Sequence, residues 1–532
     1  MTKRRIYLYD STLRDGAQTS GVDFSAADKY AIALKLDELG MDYIEGGWPG
    51  ANPTDDAFFN HPPAFSHAKL CAFGMTRRPS TSASNDPGLS ALINSGAAGI
   101  CLVGKTWDFH VTEALSIRLD ENIAMISDSI AHVVSQKREA LFDAEHFFDG
   151  FKANKAYALS AICAAYEAGS RWIVLCDTNG GTLPHEIFAI VTEVTRLIPG
   201  EHLGIHCHND TEHAVANSVA AVMAGVCQVQ GTLNGVGERC GNANLVSIIP
   251  TLKLKLGLDV GISDETLRHL TKISHFFDDK LNKTRNIFAP YVGASAFAHK
   301  GGLHVSAVLK NPACYEHINP DLIGNERKIL VSDQAGRSNI LSRLHDIGID
   351  PAMHKADTIT SLIETIKERE SRGYAYDSAD ASFEILAHQS LRDIPTYFRC
   401  ETFKIVDERS WNSQGEIVVL SEATAHIRVG EALIKTSAKG NGPVHALDLA
   451  IRKALITFYP ILEQVSLIDY KVRSINSSHG TDAITRVLIE SENEQGQRWV
   501  TMGVSPNIID ASYNALRDSL VYALMKQTTT RA

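Results

Sequence analysis

Residues 140–177 contain the pattern that decides the fold: the apolar run Ala140-Leu-Phe-Asp-Ala144, a helical stretch from Ala153 to Ala168, and the apolar run Trp172-Ile-Val-Leu-Cys-Asp177. In the middle stretch apolar residues recur at intervals of three and four, which indicates an amphipathic helix. A short apolar run, a helix and a second apolar run form the repeating unit of a parallel sheet. The stretch therefore predicts an α/β fold.

The same rhythm extends outward from residue 6 to about residue 245, with helical stretches such as Ala26 to Leu39 between the apolar runs. Eight strands in a segment of about 240 residues are typical of a TIM (β/α)8 barrel. The predicted strands are Ile6 to Asp10, Tyr43 to Gly47, Lys69 to Met75, Gly99 to Gly104, Ala140 to Ala144, Trp172 to Asp177, Leu203 to His208 and Val226 to Thr232.

An open, doubly wound sheet is the structural alternative. Its phosphate-binding glycine motif should follow the first strand, where this chain has Ser11-Thr-Leu-Arg-Asp-Gly16. Gly235, Gly237 and Gly241 follow the last strand and lack the G-x-G-x-x-G spacing. The pattern therefore favours the barrel and argues against dinucleotide binding.

Three domains are predicted: the barrel over residues 1–285, a mainly helical linker subdomain over 286–392, and a C-terminal α+β domain over 393–532. The last domain contains strands followed by a helix, twice, which indicates a duplicated module with a regulatory or dimerisation role. The two copies are Ala423 to Ser437 with Val444 to Phe458, and Ala483 to Val504 with Ile508 to Met525.

Composition excludes several classes of function. The 532 residues include 51 Lys and Arg against 62 Asp and Glu, a net charge of −11 without a basic block, which argues against nucleic acid as a partner. No apolar stretch approaches the roughly 18 residues of a membrane span, and the start runs directly into a strand-like segment, so we expect a cytoplasmic protein without a targeting segment. Nine cysteines without C-x-x-C spacing argue against disulfides and a thiolate zinc site.

Polar residues cluster where the predicted barrel strands end, which is the face on which TIM barrels build active sites. The first strand leads to Arg14-Asp15 and the fifth to Glu145. The sixth leads to Asp177-Thr178-Asn179, the seventh carries His206-Cys-His208-Asn-Asp210, and the eighth leads to Glu238-Arg239-Cys-Gly-Asn242.

A catalytic metal site is predicted from four of these residues. The spacing of His206 and His208 places both imidazoles on one face of a strand. Asp15 adds a carboxylate, and the Asn242 amide oxygen can complete a set that leaves positions open for substrate or water. An H-x-H pair alone is more often part of a surface strand; the aspartate and the strand-end position favour a metal. Magnesium, manganese and zinc all suit this set.

Four further residues at these strand ends have candidate roles. Arg14 can stabilise an alkoxide beside the metal, or form a salt bridge with Glu45, and the two roles are compatible. Glu145 can hold a reacting water or orient a base, but a helix cap or an ordinary rim charge explains it equally well. Glu238 and Arg239 are expected to pair and to fix the loop that presents Asn242.

Three motifs together resemble the Claisen-condensing family of 2-isopropylmalate, homocitrate and citramalate synthases, the DRE-TIM metallolyases. They are Asp10-Ser-Thr-Leu-Arg-Asp-Gly-Ala-Gln18, His206-Cys-His-Asn-Asp210 and Asn234-Gly-Val-Gly-Glu-Arg-Cys-Gly-Asn242. The resemblance covers nearly the whole chain. The segments Glu45-Gly-Gly-Trp-Pro-Gly50, Phe142-Asp-Ala-Glu-His-Phe-Phe-Asp-Gly150 and His299-Lys-Gly-Gly-Leu-His-Val-Ser-Ala307 are most similar to those of the family's long citramalate synthases.

The resemblance implies roles for individual residues. It implies a metal held by Asp15, His206, His208 and Asn242, and a hydrogen bond from Thr178 to the substrate carboxylate. Family members supply a histidine from the linker, often to the partner subunit's active site, and Gly301-Gly-Leu-His304 matches that motif. Asn311 and Tyr315 follow at family-like positions, as a substrate-binding and a catalytic candidate.

The implied reaction begins when the methyl group of acetyl-CoA, the co-substrate, loses a proton. Either His304 or Glu145 takes it, and the sequence leaves this open. The enolate then attacks the ketone of a 2-oxo acid, Arg14 and the metal stabilise the alkoxide, and thioester hydrolysis makes the step irreversible. Pyruvate is the expected acceptor, giving (R)-citramalate for isoleucine synthesis. The alternative is a 2-isopropylmalate or homocitrate synthase that uses another 2-oxo acid.

Two positions depart from the family pattern. Ser306 stands where many relatives have an aspartate two residues after the linker histidine, which puts proton transfer from that position in doubt. Asp177-Thr-Asn-Gly180 replaces the commoner Asp-Thr-Val/Leu-Gly.

The C-terminal module resembles the family's allosteric domain, which binds the pathway's end-product amino acid at a dimer interface. We therefore expect a homodimer and isoleucine as the inhibitor. Gly440-Asn-Gly-Pro443 before a helix fits carboxylate binding, although a simple turn and cap would look the same. The module argues against the related lyases that cleave 3-hydroxy-3-methylglutaryl-CoA, and the intact metal motif argues against an amino-acid sensor on an inactive barrel.

Overall fold

The computed structural model describes residues 4–330, 337–391, 394–411, 413–475 and 483–531. The chain divides into two compact units. The barrel unit comprises Met1–Phe297 and His317–Arg327, and the C-terminal unit comprises Ala298–Glu316 and Lys328–Ala532. The predicted domain boundaries after residues 285 and 392 stay predictions.

Eight parallel strands close into a barrel in sequence order, β1 pairing with β8, so the predicted TIM barrel is confirmed. Every predicted strand is present, with ends shifted by up to two residues. The strands are β1 Tyr7–Asp10, β2 Tyr43–Gly47, β3 Lys69–Met75, β4 Gly99–Lys105, β5 Glu139–Glu145, β6 Trp172–Asp177, β7 Leu203–Cys207 and β8 Gln228–Gly231.

The predicted helix from Ala26 to Leu39 is α1, but the one predicted from Ala153 to Ala168 is interrupted. Asn154 leaves the helical conformation, and its side chain accepts a hydrogen bond from the Tyr157 backbone N–H, so a new helix begins there. The helices of the barrel unit are α1 Ala26–Leu39, α2 Pro53–Asn60, α3 Pro87–Asn94, α4 Asp108–Glu113, α5 Leu119–Ser135, α6 Phe147–Ala153, α7 Lys155–Glu167, α8 Pro184–Val194, α9 Ala214–Met223, α10 Leu245–Pro250, α11 Asp264–Leu267 and α12 Leu270–Lys280.

Large side chains close the interior of the barrel at the end where its strands begin. Trp172, the first residue of β6, is fully buried and donates from Nε1 to the Tyr43 hydroxyl at 3.0 Å. Tyr7 packs against the same indole ring, with the ring centroids 5.2 Å apart. The interior is therefore filled at this end, and reactive groups are left to the opposite rim.

The C-terminal unit begins with the short parallel pair β9 Ala298–His299 and β10 Lys328–Ile329. Two antiparallel sheets follow, in the orders β11-β12-β13 and β14-β15-β16, and each leads into a helix. The remaining bounds are α13 Gly302–Lys310, α14 Arg337–Asp346, α15 Ala356–Ser371, α16 Asp380–Leu391, β11 Arg399–Trp411, β12 Ile417–Val429, β13 Ala432–Gly440, α17 Pro443–Leu455, β14 Ser466–Ser474, β15 Thr485–Glu492, β16 Arg498–Ser505 and α18 Ile508–Arg531.

The predicted duplication is confirmed, and each copy also has a strand that precedes the predicted range, β11 in the first and β14 in the second. β11 and β14 lie outside the predicted ranges because most of their residues are exposed and many are polar. Such strands lack the alternation of apolar and polar residues by which a half-buried strand is recognised.

A buried ion pair ties α1 to α2. The Lys29 ammonium contacts the Asp55 carboxylate and donates to the Gly46 carbonyl oxygen at 3.0 Å, and both charged side chains are buried. Asp55 also accepts from the Trp48 backbone N–H at 2.7 Å. The pair therefore anchors the loop that follows β2.

Replacing Lys29 with Met should leave Asp55 charged, buried and uncompensated, which costs about 3–5 kcal/mol of folding free energy. Urea unfolding followed by tryptophan fluorescence measures the loss. Lys35→Met on the same helix is the control, because the Lys35–Glu38 pair is exposed and should contribute little. Equal losses in the two variants would contradict a structural role for the buried pair.

Candidate active site

The turn after β1 presents Asp15 at the rim of the barrel. Backbone N–H groups of Arg14, Asp15 and Gly16 donate to the Ser11 carbonyl oxygen at 3.2, 2.9 and 3.1 Å, which coils the chain tightly as it leaves the strand. The Asp15 carboxylate is buried there.

Two imidazoles from β7 and its end meet this carboxylate. Alternate residues of a strand share a face, so His206 and His208 point the same way. Their Nε2 atoms are 3.3 Å apart, and Asp15 Oδ2 lies 3.4 Å from the first and 3.7 Å from the second. The predicted Asp15, His206 and His208 cluster is therefore present, with its ligand atoms all within 4.8 Å of one another.

The loop after β8 places Asn242 beside them. Its backbone pairs with His208 in an isolated antiparallel bridge, and its Nδ2 lies 3.1 Å from Asp15 Oδ2 and 3.3 Å from His206 Nε2. Gly237 has φ 157° and lies so close that a Cβ atom there would collide with Asn242 Oδ1. Glycine at 237 is therefore required for Asn242 to occupy this position.

The polar atoms of this cluster fit a divalent cation. Among the described residues, Asp15 Oδ1 and Asn242 Oδ1 are buried without a hydrogen-bond partner. Buried polar atoms are normally paired, and a carboxylate, two imidazoles and an amide oxygen are ligands of magnesium, manganese or zinc. Asn242 Oδ1 lies on the side of Gly237, and Nδ2 faces Asp15 and His206. Because the oxygen and nitrogen of an amide are assigned from their hydrogen bonds, the amide turned by about 180° presents its oxygen to the cluster.

The pKa shifts of Asp15 and His208 also suit cation binding. Burial works against the charge of Asp15, but the Arg14 guanidinium and the hydrogen bond to His206 outweigh it and lower the pKa of the carboxyl. Burial and the neighbouring His206 lower the pKa of His208 to about 4. Near neutral pH Asp15 is thus charged and His208 is unprotonated. Burial works against the charge of His206, but the hydrogen bond to Asp15 outweighs it and raises the pKa of that imidazole, so a bound cation would displace its proton.

Arg14 forms the predicted salt bridge. Its Nε lies 2.8 Å from Glu45 Oε2, and its Nη1 lies 3.4 Å from Asp15 Oδ2. The guanidinium carbon sits 4.0 Å above the centre of the Phe73 ring. Glu45 is fully buried and also accepts from the Tyr9 hydroxyl at 2.8 Å. The guanidinium is therefore held rigidly next to the cluster.

The other rim candidates have partners of their own. Glu145, the last residue of β5, pairs with Lys105 at the end of β4. Thr178 Oγ1 accepts from the His146 backbone N–H at 2.8 Å, which leaves its own hydroxyl hydrogen for another acceptor. These contacts leave the predicted roles of both residues as predictions.

Arg239 holds the loop that carries Asn242 in place mainly through contacts with Asp210 and Thr178. Its Nε donates to Asp210 at 2.7 Å and its Nη2 to the Thr178 carbonyl oxygen at 2.7 Å, whereas Glu238 lies 3.6 Å away. The expected pairing is present, and it is the weakest of these contacts.

His304, Asn311 and Tyr315 belong to the C-terminal unit. The rings of His304 and Tyr315 stack with centroids 4.2 Å apart, and the Asn311 side chain accepts from the Ala313 backbone N–H at 3.0 Å. Their predicted catalytic and substrate-binding roles stay predictions.

Sequence reasoning did not single out Gln230 on β8, whose Oε1 lies 2.9 Å from His206 Nδ1, or Asp143, whose Oδ1 lies 3.1 Å from Gln230 Nε2. A signal was present: Gln228 and Gln230 are polar residues at alternate positions of a predicted barrel strand. Such residues point into the barrel and need partners there.

Three known families match the chain in succession. The family described as HMGL-like matches residues 5–274, a homocitrate synthase post-HMGL domain-like family matches 291–371, and the LeuA allosteric (dimerisation) domain matches 377–524. The chain is 51% identical to an (R)-citramalate synthase of Aquifex aeolicus, with 98% of each chain covered. A second (R)-citramalate synthase, of Geobacter sulfurreducens, is 50% identical with the same coverage.

A 2-isopropylmalate synthase of Methanocaldococcus jannaschii is 30% identical over 98% of this chain and 95% of its own. The chain therefore belongs to the HMGL-like family, in the branch of the (R)-citramalate synthases. The predicted family resemblance is confirmed. Among the described residues, no helix combines the length and apolarity needed to cross a membrane.

Removing the Asp15 carboxylate should remove the only charged ligand of the described cluster. Asp15→Ala is expected to weaken Mn²⁺ or Zn²⁺ binding by at least two orders of magnitude and to abolish turnover. Equilibrium dialysis with metal analysis measures the binding. Asp128→Ala, which removes an exposed carboxylate on α5, should leave metal binding unchanged. Full activity of Asp15→Ala would refute the proposed site.

Proposed function

We propose that the chain joins the acetyl group of acetyl-CoA to the keto carbon of pyruvate and, with water, releases (R)-citramalate and CoA. The observation that carries this is the meeting of Asp15, His206 and His208 at one buried point of the barrel rim, with the Arg14 cation beside it. Several (R)-citramalate synthases at 46–51% identity over nearly the full chain support pyruvate over larger 2-oxo acids. The chain is thus a transferase, and we expect it to act in the cytoplasm.

Asp15, His206, His208 and Asn242 would hold one divalent metal ion. When bound there, such an ion acts as a Lewis acid towards a ketone carbonyl. The protein contributes a rigid, buried donor set that leaves further positions open to the substrate. Magnesium, manganese and zinc are the candidates.

Arg14 would stabilise the negative charge that develops on the keto oxygen of pyruvate. Its cation is already desolvated and oriented by Glu45 and Phe73, so no reorganisation is needed when the charge appears. Thr178 would donate its hydroxyl hydrogen to the pyruvate carboxylate while still accepting from the His146 N–H.

Proton removal from the acetyl methyl group would involve Glu145 and His304. The Lys105 ammonium holds the Glu145 carboxylate at the rim, where it can orient a water or a neighbouring imidazole. His304 stacks on Tyr315 within the C-terminal unit. We propose that this pair is supplied to the barrel of a partner subunit, with Asn311 contributing to substrate binding.

The C-terminal unit supports a homodimer. Trp411, Ile417 and Val419 lie together on one face of the β11–β12 pair and are each about half exposed or more, although apolar side chains of sheets are normally covered. Residues 377–524 match a domain described as allosteric and dimerising. A second copy of the chain is therefore the proposed partner of this surface.

Isoleucine is the proposed inhibitor, bound in the same unit. Helix α17 begins at Pro443 directly after the Gly440-Asn-Gly442 turn, so its first N–H groups are available to a carboxylate. The end product of the pathway that citramalate feeds would thereby regulate its own synthesis.

The substrate is tested by CoA release from acetyl-CoA with pyruvate, 2-oxobutyrate, 2-oxoisovalerate or 2-oxoglutarate in the presence of metal. A strong preference for pyruvate is expected. Preference for a larger acid would keep the mechanism and overturn the product. Release with none of the four would contradict the condensing activity.

Regulation is tested in the full-length chain, because Phe383 and Leu386 of α16 pack against Met502 of β16 and a truncation near Pro395 would uncover them. A Cβ at Gly440 would collide with the Ala446 backbone nitrogen in α17. Gly440→Leu should therefore abolish inhibition by isoleucine while turnover in its absence is unchanged.

Ala432→Leu is the matched control, because it places the same side chain at the exposed first residue of β13, the strand that ends at Gly440. It should keep its inhibition by isoleucine. Inhibition of the Gly440→Leu variant equal to that of the control would contradict the proposed effector site.

A further inference from the structure

A hydrogen-bonded chain of three buried side chains runs behind the candidate metal site. His206 on β7 faces Gln230 on β8, with Nδ1 and Oε1 2.9 Å apart. Gln230 Nε2 in turn donates to Asp143 Oδ1 on β5 at 3.1 Å. All three side chains are buried, at 5%, 0% and 3% exposure, so water does not compete for these contacts.

The Asp143 carboxylate determines the direction of both hydrogen bonds between these three side chains. A carboxylate accepts, so Asp143 requires the amide nitrogen of Gln230 to point towards it. The amide oxygen must then face His206, and because an oxygen only accepts, Nδ1 of His206 must carry the hydrogen. When the ring gives up one proton to become neutral, the hydrogen therefore stays on Nδ1, and Nε2, which lies 3.4 Å from Asp15 Oδ2, is left free to bind a cation.

His208 provides an internal contrast. Its Nδ1 is buried and, among the described residues, has no hydrogen-bond partner. Of the two imidazoles of the cluster, only that of His206 is therefore oriented by a hydrogen bond of its Nδ1 with another described residue. The orientation of His206 depends on residues that lie 24 and 63 positions away in the sequence, on two other strands.

We propose that Gln230 and Asp143 are positioning residues for the condensation: together they hold His206 in the tautomer whose Nε2 can bind the catalytic metal. This inference rests on the proposed metal site and adds two residues behind it. Neither residue needs to touch the substrate. Their effect is on metal affinity, since partners of this kind orient a ligand and raise its basicity.

The first test removes the amide. Gln230→Leu should weaken Mn²⁺ binding by about 10- to 100-fold, measured by electron paramagnetic resonance of the free ion during titration of the full-length chain. Gln228→Leu is the matched control: it is the same substitution two residues earlier on β8, and both polar atoms of the buried Gln228 amide lack a partner among the described residues. It should leave the Mn²⁺ dissociation constant unchanged.

The second test reverses the direction of the hydrogen bond between residues 230 and 143, which distinguishes an orienting role from a packing role. Gln230→Glu alone brings two buried carboxylates together and should weaken Mn²⁺ binding. Adding Asp143→Asn replaces the second carboxylate with a donor, so the carboxylate at position 230 can accept from that amide and from Nδ1 of His206 without a like charge beside it. It should recover an affinity close to that of the unchanged chain, with melting temperatures showing that all variants are folded.

The possible outcomes distinguish a failure of this inference from a failure of the proposed metal site. Failure of the unchanged chain to bind Mn²⁺ would overturn the metal site itself. If the unchanged chain binds Mn²⁺ and Gln230→Leu binds it equally well, the positioning role is overturned and the metal site stands. A folded double variant that binds Mn²⁺ no better than Gln230→Leu would likewise overturn the orienting role of Gln230 and Asp143.

Discussion

The pairing of the first barrel strand with the last is the constraint on which the site depends. β1 and β8 lie side by side with Asp10 opposite Gly231, so the turn that carries Asp15 and the loop that carries Asn242 leave the barrel together. β7 is the other neighbour of β8 and brings His206 and His208 to the same point. Because all eight strands are parallel, every such exit lies at one rim.

Closing the barrel also creates the electrostatic setting of the site. Arg14, Glu45 and Asp15 are removed from water, and each charge is tolerated because an opposite charge lies within 3.4 Å. The result is a rigid cation beside a rigid carboxylate. A substrate oxygen that becomes negative there meets an environment arranged before the reaction begins.

The strand order and the meeting of Asp15, His206 and His208 could be predicted because both depend on local patterns: alternating apolar runs and helices for the barrel, and polar residues at strand ends for the cluster. The break at Asn154 was missed because a capping asparagine and a helical asparagine look alike in sequence. The contacts of Gln230 with Asp143, and of Glu145 with Lys105, depend on which strand lies next to which and on their register. β11 and β14 have too few buried positions to be recognised from their pattern.

A crystal of the full-length chain grown with Mn²⁺ and pyruvate, with diffraction recorded near the manganese absorption edge, tests the central claim most directly. The account predicts one strong anomalous peak at bonding distance from Asp15, His206 and His208, with the keto and carboxylate oxygens of pyruvate completing the shell and Arg14 beside the keto oxygen. A peak elsewhere, or pyruvate bound away from these residues, would contradict it.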